Sequence, residues 1–140
     1  MVAVGPNGWA DVKEQLETSG RHTALGFHKA WWRGVRFFHR DGSLYEVESA
    51  LPERELGLIS KALAYTIFNP RLYIRYQYRR RGSYEIGTFA AAVAEAIEKD
   101  DDILTQFADR DVLLEEVKTA TNFDTVVAAI LHGTTGESAF

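Results

Sequence analysis

Apolar positions recur in two rhythms along this chain. Trp9, Val12 and Leu16 stand at i, i+3 and i+7, the spacing of one helical stripe, and Gly20 after Ser19 supplies a stop, so a first helix is expected over 9–19. From Thr23 to Leu51 the chain turns aromatic and β-branched, with its best turn signal at Arg40-Asp41-Gly42-Ser43, which reads as a hairpin. A two-residue loop would set Phe37 against Glu46 and Val35 against Glu48, mixing core and solvent residues on one face. A three-residue loop with Gly42 in the left-handed conformation instead pairs Phe37 with Tyr45, Val35 with Val47 and Arg36 with Glu46, and is preferred. It leaves Arg36, Glu46 and Glu48 opposite the Val/Phe/Tyr pairs, on the face expected to lie away from the core. Leu25 to Trp32 breaks alternation near Lys29 and reads as a separate short strand or an irregular lead-in.

Leu51-Pro52-Glu53-Arg54-Glu55 has the chemistry of a helix start, with proline at the first helical position and acids near the positive end of the dipole. Leu56, Ile59, Leu63 and Ile67 continue it until Asn69-Pro70. Period two returns from Arg71 to Arg81, placing Leu72, Ile74, Tyr76 and Tyr78 on one side and Arg71, Tyr73, Arg75, Gln77, Arg79 and Arg81 on the other. Beyond Gly82 the pattern is helical. Ser83 is the expected cap of a helix burying Ile86, Phe89, Ala90, Val93, Ala94 and Ile97. Asp100 to Asp102 cap a short segment with Ile103, Leu104 and Phe107. Asp109 or Asp111 starts the next, with Val112, Leu113 and Val117. Thr121 or Asn122 caps a last helix bearing Phe123, Val126, Val127, Ile130 and Leu131, which Gly133 should stop. The order implies a single α+β domain over 1–133, a small and mainly antiparallel sheet (the hairpin plus a later strand) covered by helices, with a helical C-terminal half and a flexible tail at 134–140. The helix between hairpin and last strand leaves their relative direction open.

At 140 residues and 46% hydrophobic positions the chain can hold a core without disulfides or a structural metal. It has no cysteine, which excludes thiolate nucleophiles and Cys-containing metal centres. No apolar run approaches the roughly 18 residues of a membrane span, and Met1 to Gly8 lacks the pattern of a secretory signal, so the cytoplasm is the expected location. The net charge of -4 conceals a split. Residues 1–82 carry thirteen Lys/Arg against eight Asp/Glu, or +5, and residues 83–140 carry three against twelve, or -9. Polyanions and acidic proteins respond to such local fields.

Most of the candidate chemistry lies on the strand 71–81. Alternation gathers Arg71, Arg75, Arg79 and Arg81 with Tyr73 and Gln77, groups suited to bidentate contacts with anions and to stacking. The bland alternative is that these arginines are consumed by Glu46, Glu48 and the acidic half. Trp31-Trp32 is the second feature, because adjacent tryptophans on a strand face opposite ways and one of them would suit a partner contact. The histidines His22, His28, His39 and His132 lack ligand spacing, and Asp100-Asp101-Asp102 lacks the rest of a calcium loop. There is no nucleophile elbow, P-loop or dinucleotide fingerprint, and Gly5-Pro6-Asn7-Gly8 reads as turn material. The expectation is a non-enzymatic protein-interaction module without cofactor or metal. It would use Trp31, Trp32, Arg36, Arg71, Tyr73, Arg75, Arg79 and Arg81 to bind a protein partner or a second copy of itself. Single-stranded nucleic acid on the 71–81 strand is the alternative.

Overall fold

Val2-Ala3-Val4 is a short run of strand-favouring residues followed by a Gly-Pro-Asn-Gly turn, and in the computed structural model of the protein it forms the first strand, β1 (Val2–Gly5). The structure describes residues 1–14, 19–23, 29–30, 32–52, 62, 66, 71–100 and 102–137; the side chains of residues 19–23 and of Arg71 lie outside this description. β1 pairs antiparallel with β2 (Trp9–Val12) on one side and with β4 (Arg36–Phe38) on the other. β3 (Ser19–Thr23) lies along the start of β6 (Arg71–Ser83), and β5 (Ser43–Pro52) joins β4 to β6. Among the described residues the sheet has six strands in the order β2-β1-β4-β5-β6-β3, with every pairing antiparallel, which settles the direction left open by the sequence.

The helix expected over 9–19 is therefore corrected at its start. Ala10 and Val12 pair with Val4 and Val2, so Trp9 and Val12 point to opposite faces of a strand rather than along one stripe. Tertiary pairing overrides the helical spacing because the turn at Pro6-Asn7-Gly8 folds β2 back onto β1. Gly8 makes that turn with a φ of 87°, and an added Cβ would lie 2.6 Å from the Lys99 carbonyl oxygen. The helix expected from Leu51 is corrected in the same way at its first two residues. Leu51 and Pro52 belong to β5, paired with Arg75 and Ile74. Of the remainder of that stretch only Ala62, which is helical, and Thr66 are described.

The hairpin register is as expected. Phe37 faces Tyr45, Arg36 faces Glu46, the Val47 N–H donates to the Val35 carbonyl at 3.0 Å, and Gly42 has a φ of 90°. Asp41 holds the turn through the Ser43 N–H at 2.9 Å and the Ser43 hydroxyl at 2.5 Å. These two bonds are the main reason why the Asp41 carboxyl is held below its usual range.

Three helices are described after the sheet: α1 (Ile86–Glu98), α2 (Arg110–Lys118) and α3 (Phe123–Thr135). Together they build the α+β arrangement, with the helices in the C-terminal half. Phe89, Val93 and Ile97 of α1 meet Val2, Val4, Ala10 and Phe38 of the sheet, and Leu113, Val117, Val126 and Ile130 close the same cluster. Full burial of Phe38 or Phe89 is worth about 2–3 kcal/mol each. Phe89 also stacks on Phe123, with ring centroids 5.2 Å apart. Ser83 does not cap α1, because it is still in β6, opposite Ser43; Glu85 precedes the helix without a side-chain cap bond. Asp109 precedes α2, and the Asn122 side chain caps α3 by accepting from the Thr125 N–H at 2.9 Å. Gly133 does not stop α3. The helix runs on to Thr135 and ends at Gly136 with a φ of 76°.

The opposite face of the sheet is also apolar. Ala3, Val35, Phe37 and Val47 form a second cluster with Trp9, Trp32, Tyr45, Tyr76 and Tyr78 packed against it. The expected assignment of faces is thus reversed in part. The Val/Phe/Tyr pairs line this second cluster, whereas Arg36 and Glu46 lie on the side that carries α1.

Candidate functional site

Period-two alternation on β6 projects Tyr73, Arg75, Gln77 and Arg79 on the side of the sheet that carries α1. All four side chains are exposed, Tyr73 by 54%. On β5 the facing residues are Leu51 opposite Arg75, Ser49 opposite Gln77 and Glu46 opposite Arg79. Leu51 is 48% exposed, and the Ser49 hydroxyl donates to Gln77 Oε1 at 2.6 Å. The ladder shifts register between Leu44 and Tyr45, leaving Arg81 as an extra residue between partners. Arg81 Nε then reaches Glu46 Oε2 at 2.7 Å. Arg80 is opposite Tyr45 and so belongs to the other face.

Arg36, Glu46 and Arg79 stand side by side on β4, β5 and β6. Glu46 is thus surrounded by three arginines and bonds one of them. Among the described residues, no carboxylate lies within 4 Å of Arg36, Arg75 or Arg79. The basic row is, among the described residues, only partly neutralised from within.

The structure brings Arg36, Tyr73, Arg75, Arg79 and Arg81 onto one side of the sheet. The backbone of Arg71 pairs with Thr23, and its side chain is outside the description. Trp31 also lies outside the described residues. Trp32 does not join the basic row: it is in a turn, half-buried against the second cluster, with Arg33 over its ring at 5.6 Å.

Glu95 and Lys99, at the end of α1, escape a reading by strands because a helix brings them beside Arg36. Lys99 Nζ donates to Glu95 Oε1 at 2.7 Å, and this bond is the main cause of the lowered Glu95 pKa, with Arg36 contributing a smaller coulombic part. Their four-residue spacing is the one sequence signal that marks them as a pair. Near the hairpin turn, the Tyr84 hydroxyl donates to the His39 carbonyl, and burial pushes its pKa up to about 12. Among the described residues no group of three His, Asp or Glu side chains is arranged to hold a metal ion, and no helix is long and apolar enough to cross a membrane. Comparison with protein-family models, curated proteins and solved structures finds no match for the chain.

Proposed function

We propose that this protein is a non-enzymatic interaction module of the cytoplasm that docks an acidic protein surface on the α1-bearing side of β5 and β6. The observation that carries this reading is the state of Arg75 and Arg79. Both are exposed on one strand face, and neither has a carboxylate within 4 Å among the described residues. Exposed Tyr73 and Leu51 lie beside them, and tyrosine and arginine are the residue types that most often anchor protein partners. An apolar residue in the row and Glu46 at its end favour a protein over a nucleic-acid backbone, and so does the -9 carried by residues 83–140, which repels a long polyanion. The acidic helical half of a second copy is one surface with matching charge.

The test is capture from a nuclease-treated native lysate by the wild-type chain and by an Arg75→Glu/Arg79→Glu variant. A protein retained by the first and lost by the second supports the reading. Identical retention by both overturns it, as does binding that disappears with nuclease. Sedimentation at moderate salt identifies the self-associating case, in which the wild type forms a dimer and the variant does not.

A further inference from the structure

A cleft of about 290 Å³ opens between the sheet and the C-terminal half of α1. It exists because small residues meet there. Ala92 and Ala96 present only methyl groups, and the β1–β2 turn is held against the end of the helix by Gly8 and by Lys99 Nζ, which donates to the Pro6 carbonyl at 3.4 Å. Val4 and Pro6 supply the rest of the apolar lining, while Arg36 and Glu46 enter from the sheet.

The charges that line this cleft are unequally paired. Glu46 is matched by Arg81 and Glu95 by Lys99, both at 2.7 Å. Arg36 is partly buried and has no carboxylate within 4 Å among the described residues; its guanidinium lies over the Phe38 ring at 5.4 Å. Of the four charged residues that line the cleft, Arg36 is the one without an ion-pair partner among the described residues, and it stands beside an apolar wall.

We infer that the cleft binds a small monocarboxylate, whose carboxylate pairs with Arg36 and whose hydrocarbon part lies against Val4, Pro6, Ala92 and Ala96. The guanidinium fork matches a carboxylate with two parallel hydrogen bonds. A dianion such as phosphate exceeds the single unmatched charge and is repelled by Glu46 and Glu95. The volume is at the lower end for small-molecule sites, which limits the ligand to about ten non-hydrogen atoms. This inference does not depend on the acidic partner, since Arg75 and Arg79 do not line the cleft.

Benzoate is the probe, titrated into the full chain at constant pH and ionic strength while amide chemical shifts are followed by NMR. Saturable shifts are expected at Gly5, Gly8, Gly34 and Ala96, with about millimolar affinity, ordinary for so small a ligand. Arg36→Gln weakens binding about tenfold or more, and Arg36→Lys restores part of the loss. The unchanged spectrum of the α2–α3 region shows that each variant is folded. Arg75→Gln binds as the wild type does, which separates this site from the partner face. The inference is overturned if the wild type gives no saturable shifts, if Arg36→Gln binds benzoate equally well, or if neutral benzamide or inorganic phosphate binds as tightly as benzoate.

Discussion

The Asp100 carboxylate accepts from the N–H groups of Ile103, Leu104 and Thr105 and from the Thr105 hydroxyl, at 2.9–3.1 Å, and is almost fully buried. The acidic run in the sequence signals a cap, and Asp100 is one, but it organises a turn rather than the helical segment expected there. Asp100→Ala leaves those donors without a partner and should cost about 3 kcal/mol in urea unfolding; a loss below about 1 kcal/mol would contradict this role. Gly133 shows what a sequence pattern cannot display. It sits inside α3 because an added Cβ would lie 1.9 Å from the Leu104 carbonyl oxygen, in the segment that Asp100 organises. Gly133→Ala should therefore destabilise by about 2 kcal/mol, although alanine is the better helix former. At His39 the Nε2 atom is buried without a partner among the described residues, and desolvation lowers the ring pKa below 6.5. A lowered folded-state value means that the unfolded chain takes up the proton more readily. Stability is complete above the unfolded pKa and declines as pH falls from about 6.5 toward the folded value. Thermal unfolding followed from pH 7.5 to 5.5 should show this decline, and His39→Gln should flatten it; an equal decline in the variant would assign it to other groups.

Among the elements, the β4–β5 hairpin and β6 were legible because their information is local. Strand alternation has a period of two, so the choice of a three-residue loop fixes every pairing from Phe37–Tyr45 outward. α1 and α3 were legible by the same logic at a period of 3.6. The N-terminal hairpin was not legible, because three apolar residues at helical spacing are too few to outweigh a partner strand that the sequence does not announce. The junction of β6 and α1 has a measurable anchor in Tyr84. Its hydroxyl bonds the His39 carbonyl, and its ring packs edge-on to Phe38 at 5.0 Å and to Phe89 at 5.7 Å. Tyr84→Phe keeps the ring contacts and loses the bond, so about 1 kcal/mol should disappear in urea unfolding. A full loss of folding would show that the ring environment had been disturbed as well. The α3 cap is of similar size: Asn122→Ala is expected to cost about 1 kcal/mol.

At the scale of the whole molecule, the charge split becomes a question of distance. Arg81 bonds Glu46, whereas Arg75 and Arg79 have no such partner among the described residues. Reversing those two charges should cost no more than about 1 kcal/mol, mainly from the second carboxylate that Arg79→Glu sets opposite Glu46, while removing a partner held by the basic face. Equilibrium unfolding of Arg75→Glu/Arg79→Glu checks the first half of that statement; a loss of several kcal/mol would mean that the arginines serve the fold itself. Taken alone, the sequence determined what alternation and helical spacing encode within a few residues: the class of the fold, the register of one hairpin, the sharing of one face of β6 by Tyr73, Arg75, Gln77 and Arg79, and most of the helical core. Tertiary structure alone decided that Val2–Gly5 is a central strand, that both sheet faces carry apolar clusters, that Trp32 lies away from the basic row, and that Arg36 meets Lys99 and Glu95 in a cleft. The physical reason is that burial and charge pairing depend on distances between residues far apart in the chain. Such distances exist only once the strands and helices are folded together.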